Sequence, residues 1–272
     1  MRFTLTVAVV TCWLMASPAS AEIHRTNGVE IEYRVVGAGE PLLLLHGFGE
    51  CIDQSWGEII PQLSASYRVI AVNQRGHGGS TNPAGKFTHA QSAEDIRSLM
   101  DALGIKTASA MGFSSGGMTL LHLATRYPER VSKMVVVGAT THFGEQARSI
   151  MRSVASEGLP PPVQEQFLKC ARRGPAQADE LTRQFFAFKD SYTDMNFKVA
   201  DLSKIKAQSL IVHGDRDEFF PVAIPVTMYS AIPNSELWIV PGGDHSPTAG
   251  APRAMFVETV KNFLAKKVAP PE

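Results

Sequence analysis

Short apolar runs alternate with amphipathic stretches along most of the chain. Seven runs have the length and composition of buried strands, at residues 29–36, 42–46, 67–72, 108–111, 134–138, 210–214 and 237–240. Between them, apolar residues recur at helical spacing over residues 56–64, 90–103, 116–127, 222–230 and 252–265. This alternation predicts an α/β fold with a mostly parallel sheet that is covered by helices on both faces. Reactive groups in such folds gather beyond the carboxyl ends of the strands.

The alternation stops between about residue 144 and residue 206, where no strand pattern is found. Helical patterns fill this interval at residues 163–173 and 178–190, separated by a Pro-Pro-Pro run and a Gly-Pro pair. We interpret the interval as a helical cap inserted over the strand ends. Its apolar faces are expected to pack onto the body of the domain and in part to line a pocket, and they carry Phe167, Leu168, Phe185, Phe186 and Phe188.

The first 21 residues have the features of a cleavable export signal. Arg2 provides a positive end, residues 3–15 are mostly apolar, and an Ala-Ser-Ala triplet fits the small-residue rule for cleavage before Glu22. The apolar run is too short and too interrupted for a membrane span, so no stable membrane anchor is expected. These features predict a periplasmic or secreted mature chain, residues 22–272, that forms a single large domain.

The charge of the chain gives no sign of a polyanionic partner. There are 26 Lys and Arg residues and 26 Asp and Glu residues, so the formal net charge is zero. Removal of the leader takes away Arg2 and leaves 25 basic against 26 acidic residues, a net charge of minus one. The basic residues are scattered, and neither nucleic acid nor an anionic membrane surface is an expected partner.

Two cysteines remain once the leader is removed, Cys51 and Cys170. An oxidising compartment would permit a bridge between them. The sequence does not show whether the two residues approach each other, so their pairing stays open at this point.

A G-x-S-x-G motif at residues 112–116 has the spacing of a nucleophile elbow, with Ser114 at its centre. A lone motif of this kind is more often an ordinary turn, but its place between a strand pattern and a helix pattern favours a nucleophile. Such a turn strains its central serine and leaves little room two residues to either side, which explains Gly112 and Gly116. Ser115 is a rival nucleophile, but only Ser114 has glycines at both of those positions.

A base and an acid follow Ser114 along the chain. His245 lies in a polar Gly-Gly-Asp-His loop directly after the last predicted strand, where a loop can bring an imidazole over the nucleophile. Asp217 is the predicted acid, because a short carboxylate on the turn after the preceding strand can orient an imidazole; Asp215 is the reserve. Other histidines fit packing or pocket-lining positions better: His89, His122, His142 and His213.

The order serine, aspartate, histidine, together with Leu-Leu-Leu-Leu-His-Gly-Phe-Gly at residues 42–49 and Arg-Gly-His-Gly at residues 75–78, resembles the α/β-hydrolase superfamily. The resemblance covers residues 28–266. It implies that Ser114 is the nucleophile, that His245 is the base and that the helical insertion is a lid. It also implies that Asp217 is the acid, by its place in a G-x-x-D-x-x-x-P pattern.

The resemblance further implies an oxyanion hole formed by the backbone N–H groups of Phe48 and Ser115. The sequence departs from the superfamily pattern at Asn73, where many relatives carry an aspartate. That position is usually structural, so the departure concerns loop packing and not the chemistry. No metal or cofactor is expected, because the sequence contains no His/Cys cluster and no phosphate-binding loop.

These residues predict a serine hydrolase that cleaves a small or medium, partly apolar carboxylic ester. Phe48, Phe113, Met118 and Phe143 are the residues expected near the acyl pocket. The same triad could instead serve lactone opening, carbon–carbon bond hydrolysis or peracid formation, and the fold does not choose among them. A protein that binds a small ligand without turning it over is the alternative from another class. The discriminating observation is whether His245 reaches both the serine and the aspartate.

Overall fold

An eight-stranded sheet forms the centre of the computed structural model, which describes residues 20–266. The strands are β1 (Glu22–Thr26), β2 (Val29–Val36), β3 (Glu40–Leu45), β4 (Tyr67–Val72), β5 (Ala108–Phe113), β6 (Val131–Val137), β7 (Gln208–Gly214) and β8 (Ser235–Val240). Their order across the sheet is β1-β2-β4-β3-β5-β6-β7-β8. Strands β3 to β8 are mutually parallel, and β2 is antiparallel to both β1 and β4. The predicted α/β class is therefore confirmed, and β1 is an additional edge strand.

The helices follow the predicted pattern with one correction. They are α1 (Ile52–Trp56), α2 (Ile60–Leu63), α3 (His89–Ala102), α4 (Ser115–Arg126), α5 (Glu145–Glu157), α6 (Pro161–Cys170), α7 (Pro175–Ala187), α8 (Val199–Leu202), α9 (Ala223–Ala231) and α10 (Arg253–Ala265). The single helix predicted over residues 56–64 is wrong, because α1 already ends at Trp56 and the separate helix α2 begins at Ile60. Pro61 lacks the N–H group that would continue the first helix, and it lies instead in the first turn of α2.

Both faces of the sheet are buried, which explains the unbroken leucine run of β3. Leu42 and Leu44 point to the face covered by α1, α2 and α10, where Phe256 is fully buried. Leu43 and Leu45 point to the opposite face, which is covered by α3, α4 and α9. A strand buried on both faces needs apolar residues at every position and shows no alternation.

Helices α5 to α7, here called the cap helices, lie between β6 and β7, and a short 3-10 helix (Phe188–Asp190) follows them. An isolated bridge between His142 and Asn196 joins the two ends of this segment. The exact bounds of the insertion, 144–206, stay a prediction. Within residues 20–266, no helix combines the length and the apolar character needed to cross a membrane. The predicted leader lies outside the described residues except at its last two positions.

Helix α6 is tied to the loop of residues 47–51, which links β3 to α1. Cys170 forms a disulfide with Cys51, and the two Cα atoms are 5.5 Å apart. Gln166 donates a hydrogen bond to Glu50 at 3.0 Å. The ring of Phe167 lies directly on the Cα atom of Gly49. Three side chains on one face of α6 therefore hold three consecutive residues of the loop.

We expect reduction of the Cys51–Cys170 bridge to lower the free energy of unfolding by about 2 to 4 kcal/mol, because the bridge restricts the unfolded chain. Urea unfolding of the oxidised and reduced protein, with thiols counted by intact mass, measures the difference. The double variant Cys51→Ala/Cys170→Ala is the control and should be insensitive to reductant. Equal unfolding free energies for the fully oxidised and fully reduced protein would contradict the expectation.

Candidate active site

Ser114 lies at the sharp corner between β5 and α4, with a φ of 49° and a ψ of −114°. The only other non-glycine residue with positive φ among residues 20–266 is Asn27, in a surface turn. The corner is fixed on both sides: the Ser114 N–H donates to the carbonyl of Val137 at 2.8 Å, and the Ser114 carbonyl accepts from Met118 at 2.9 Å. The backbone conformation expected of a nucleophile elbow is therefore present at Ser114.

The two glycines of the motif allow the corner to form. A Cβ atom at Gly116 would lie 2.1 Å from the carbonyl oxygen of Leu45. A Cβ atom at Gly112 would lie 2.5 Å from the backbone of Gly116. Neither distance is compatible with a side chain, because the clashing atoms belong to the backbone. The start of α4 therefore packs against β3 and β5 at a distance that only glycine permits.

Ser114, His245 and Asp217 form one hydrogen-bonded chain. His245 Nε2 is 3.0 Å from Ser114 Oγ, and His245 Nδ1 is 3.0 Å from Asp217 Oδ2. Three different strands position these side chains, because Ser114 follows β5, Asp217 follows β7 and His245 follows β8. The carboxylate side chain is fully buried, whereas the imidazole side chain is 17% exposed at the cavity.

The surroundings of Asp217 favour its ionised form. Burial alone would raise its pKa, but hydrogen bonds from His245 and from the backbone N–H of Phe220, together with the nearby imidazoles, hold the pKa below its ordinary value. Its Oδ1 accepts from Phe219 and Phe220 at 2.8 and 3.0 Å. The reserve candidate, Asp215, instead accepts from the backbone N–H of Gly242 at 2.6 Å. Of the two aspartates, only Asp217 meets the imidazole.

The backbone N–H groups of Phe48 and Ser115 are the two donors that the sequence singles out. Both residues line the same cavity as Ser114. Neither group donates a hydrogen bond within the described part of the chain. Ser115 is also the first residue of α4, so its N–H lies at the positive end of the helix dipole. Both N–H groups are therefore without a partner in the described residues, as donors to a developing oxyanion would have to be in the free protein.

Two buried imidazoles hold the 47–51 loop in place. His46 accepts a hydrogen bond from the N–H of Gln74 at 2.9 Å, and its Nδ1 is 2.7 Å from the carbonyl oxygen of Gly47. His77 accepts from the N–H of Gly49 at 3.0 Å. Burial lowers the pKa of His46 to about 4 and that of His77 well below its usual range. Both rings are therefore neutral, and each accepts a backbone N–H, which a protonated imidazole could not do.

The departure at Asn73 has a structural reason. Its amide donates to the buried carboxylate of Glu32 at 2.5 Å and accepts from the N–H of Ile52 at 2.9 Å. Glu32 also accepts from the N–H of Gly79 at 2.7 Å. A second carboxylate at residue 73 would face Glu32 without a donor, whereas an amide satisfies both neighbours.

A cavity of about 440 Å³ lies between the sheet and the cap helices, and it contains Ser114 and His245. All four residues predicted near the acyl pocket line it, namely Phe48, Phe113, Met118 and Phe143. Of the cap side chains named from the sequence, Phe167, Phe185 and Phe188 line the cavity, whereas Leu168 and Phe186 do not. His142, which was expected to be able to border the pocket, is also absent from the lining. A larger concavity of about 830 Å³ lies elsewhere, beside α7, and includes none of the three hydrogen-bonded residues.

Glu50 is a cavity residue that the sequence did not single out. Its carboxylate accepts from Gln166 of α6 and from Ser55 of α1. Burial raises the pKa of Glu50, and these hydrogen bonds and the neighbouring His245 only partly offset that effect. Its position next to Cys51 was the one feature of the sequence that could have drawn attention to it. The burial of Glu50 depends on α6, which is more than 100 residues away in the chain. Among residues 20–266, no group of three or more His, Cys, Asp or Glu side chains is placed to hold a metal ion.

Proteins of known sequence include relatives that span nearly the whole chain. The profile of the family described as "alpha/beta hydrolase fold" matches residues 40–158. A putative non-heme chloroperoxidase from Synechocystis sp. is 27% identical over 250 residues, which cover 80% of this chain and 89% of that protein. A 2-hydroxy-6-oxo-2,4-heptadienoate hydrolase from Pseudomonas putida is 28% identical over 275 residues, which cover 90% and 98% of the two chains. Among solved structures, an esterase from Rhodococcus sp. ECU1013 has a TM-score of 0.72 and 25% identity, covering 92% and 99%.

The neutral buried histidines predict a loss of stability in mild acid. His46 and His122 have pKa values of about 4 in the folded protein because of burial, against about 6.5 in the unfolded chain. Between these values only the unfolded chain binds the protons, so stability is full above about pH 6.5 and falls as the pH drops towards about 4. Each histidine should contribute up to about 3 kcal/mol to this fall. Urea unfolding followed across this pH range measures it.

The variant His122→Gln is the matched control for this pH effect. It removes one of the buried histidines with a lowered pKa and should reduce the fall in unfolding free energy, because glutamine does not titrate. A pH profile that is flat between about 6.5 and 4, or identical in the variant, would contradict the assignment.

Proposed function

Because the chain belongs to the α/β-hydrolase superfamily, we propose that it is a serine hydrolase that cleaves a small or medium, partly apolar carboxylic ester. The observation that carries the proposal is the hydrogen-bonded chain from Ser114 through His245 to Asp217, with both contacts at 3.0 Å. The cavity volume of about 440 Å³ is within the usual range for a small-molecule site, and its walls are mostly aromatic and aliphatic. Similarity to the Rhodococcus esterase supports the ester class.

In the proposed acylation step, Ser114 Oγ attacks the carbonyl carbon of the ester while His245 Nε2 takes the hydroxyl proton. The carbonyl oxygen becomes an oxyanion between the N–H groups of Phe48 and Ser115, a contribution of about 3 to 4 kcal/mol for each donor. Asp217 stays ionised and stabilises the imidazolium. His245 then returns the proton to the alkoxide oxygen as the C–O bond breaks, and the alcohol leaves.

Deacylation repeats the same steps with water in place of Ser114. His245 takes a proton from water, the hydroxide oxygen attacks the acyl carbon, and the same two N–H groups receive the oxyanion. Collapse of this intermediate returns the proton to Ser114 Oγ and releases the carboxylic acid. Water can reach His245 because the imidazole is partly exposed at the cavity, as Ser114 is, whereas Asp217 is buried.

Hydrolysis of a carbon–carbon bond is the second candidate reaction for the same residues. The similarity that favours it spans 98% of the Pseudomonas putida hydrolase named above. Lactone opening and peracid formation would also use an acyl group on Ser114. Of these two reactions, peracid formation is the one that similarity to the putative chloroperoxidase favours. A panel of an ester, a lactone, a β-diketone and an acid with peroxide, assayed with one enzyme preparation, separates the four reactions.

The alternative of a binding protein without turnover has less support. Such a protein would be expected to have lost a member of the triad or its alignment, whereas the described geometry has every group within hydrogen-bond distance. A small molecule is the proposed partner in either case.

We propose that the mature chain acts outside the cytoplasm, in the periplasm or the medium. Two observations support export: the leader features of residues 1–21 and the Cys51–Cys170 disulfide, since disulfides persist in oxidising compartments.

We expect Ser114→Ala and His245→Ala to lower kcat by at least about 10⁴-fold, because they remove the nucleophile and the base. We expect Asp217→Asn to lower it by roughly 10⁴-fold, because the carboxylate that holds the imidazole in its reactive tautomer is lost. The matched control is Asp215→Asn, which alters a turn carboxylate two residues away and should cost far less. Hydrolysis of short-chain p-nitrophenyl esters measures kcat, and circular dichroism checks that each variant is folded. Full activity in any folded triad variant would contradict the assignment.

The identity of the nucleophile is tested separately by intact mass after incubation with a small fluorophosphonate. The adduct should be lost in Ser114→Ala and kept in Ser115→Ala. An adduct that disappears only in Ser115→Ala would reverse the choice between the two serines.

For localisation, we expect expression of the full chain in a bacterium with a periplasm to give a product that begins at Glu22 and contains no free thiol. Cell fractionation and intact mass measure both properties. A chain made without residues 1–21 is the control and should stay in the cytoplasm with reduced cysteines. Recovery of uncleaved protein in the cytoplasm from the full chain would contradict export.

A further inference from the structure

A second imidazole–carboxylate pair, His89 with Asp194, lies in the wall of the same cavity. His89 Nδ1 is 2.7 Å from Asp194 Oδ2, and the two side chains are only 1% and 4% exposed. Asp194 comes from the segment after the cap helices, and it also accepts the backbone N–H groups of His89 and Ala90 at the start of α3. Burial would raise the pKa of Asp194, but these hydrogen bonds lower it to about 2. The carboxylate is therefore ionised.

The outer nitrogen of His89 has no partner. Because an ionised carboxylate can only accept, Nδ1 of His89 carries a proton, and Nε2 is the nitrogen left to face another group. That Nε2 atom is buried and makes no hydrogen bond with any described residue. The ring itself lines the cavity that contains Ser114. Buried polar atoms without partners are uncommon in folded proteins, and one in a cavity wall suits a ligand.

His89 lies in a different part of the cavity wall from His245. Its ring is surrounded by Phe87, Phe143 and Phe188, at centroid distances of 5.2 to 6.1 Å. The rings around His245 form a separate set, namely Phe113, Phe219 and Phe220. Within the described residues the two sets share no member. His89 therefore places a polar side chain among a different set of phenylalanine rings from the set around His245.

We propose that His89 Nε2 forms a hydrogen bond with a hydroxyl group of the substrate that is remote from the scissile bond. A hydroxyl group suits this nitrogen because a hydroxyl can both donate and accept a hydrogen bond. A carboxylate in this place would be repelled by the ionised Asp194 behind the ring, and any charged group would lose its hydration among the phenylalanines. His89 is thus a specificity residue. The inference deepens the proposed function and rests on it for the position of the scissile bond.

The test measures binding and not turnover, so it stays readable even if the proposed hydrolysis fails. Straight-chain methyl esters from butanoate to octanoate, their ω-hydroxy forms and their ω-carboxylate forms are titrated by calorimetry into the Ser114→Ala protein. At the chain length that reaches His89, the ω-hydroxy ester should bind roughly five- to tenfold more tightly than its methyl-terminated counterpart. His89→Phe, added to the same background, should abolish this preference.

His122→Gln is the matched control for His89→Phe. His122 is also near Asp194, with Nε2 3.6 Å from Oδ1, but it does not line the cavity. The control should therefore keep the preference for the hydroxyl group. If His89→Phe fails to fold, nitrogen NMR of the imidazoles in Ser114→Ala gives the second readout. The His89 Nε2 signal should shift on addition of the ω-hydroxy ester and not on addition of the methyl-terminated ester.

Three results would overturn the proposal. The first is no gain from the hydroxyl group at any chain length, the second is a gain that survives in folded His89→Phe, and the third is tightest binding of the ω-carboxylate form.

Discussion

The positive φ of Ser114 is the constraint on which the rest of the candidate site depends. A conformation of this kind costs about 1 to 3 kcal/mol and persists only where the surrounding structure holds it. Here the hold comes from Val137 on one side and Met118 on the other, and from a contact between α4 and β3 that leaves no room for a side chain at Gly116. The same corner fixes the direction of the serine hydroxyl and the start of α4. The Ser114 hydroxyl therefore has a fixed position, which Asp217 and His245 on the loops after β7 and β8 can approach.

The 47–51 loop faces this corner and is held from below and from above. From below, the neutral rings of His46 and His77 connect it to the chain after β4. From above, α6 contacts it through a disulfide, a hydrogen bond and an aromatic ring. A donor such as the Phe48 N–H stabilises an oxyanion most when it needs no rearrangement during the reaction. The cap is thus part of what organises the loop, in addition to covering the cavity.

The strands, the elbow and the order of the candidate triad could be predicted because each depends on residues close together in the sequence. The β3 leucines and the glycines around Ser114 satisfy local constraints that leave a pattern. The edge strand β1 was missed because Glu22–Thr26 is mostly exposed and polar, with no apolar run to mark it. Helix α5 lay within the predicted cap, but it was not identified as a separate element.

Contacts between distant parts of the chain could not be predicted in the same way. Cys51 and Cys170 are 119 residues apart, and His89 and Asp194 are 105 apart. Whether such residues meet depends on how the cap packs on the body. The choice of Asp217 over Asp215 could be predicted only in part. Both aspartates lie on the turn after β7, and only the direction of each side chain decides which one meets His245.

The two imidazole–carboxylate pairs in one cavity differ less in chemistry than in what faces the outer nitrogen. In each pair a buried carboxylate lies at hydrogen-bond distance from Nδ1 and leaves Nε2 to face another group. At His245 the Nε2 atom meets Ser114 Oγ, and in the reaction proposed above a proton taken from that hydroxyl produces the nucleophile. At His89 the Nε2 atom has no partner among the described residues, and the ring lies among phenylalanine rings. A hydroxyl bound there keeps its proton, because nothing near it would stabilise the charge left behind. The same pair of side chains is therefore suited to catalysis in one place and to recognition in the other.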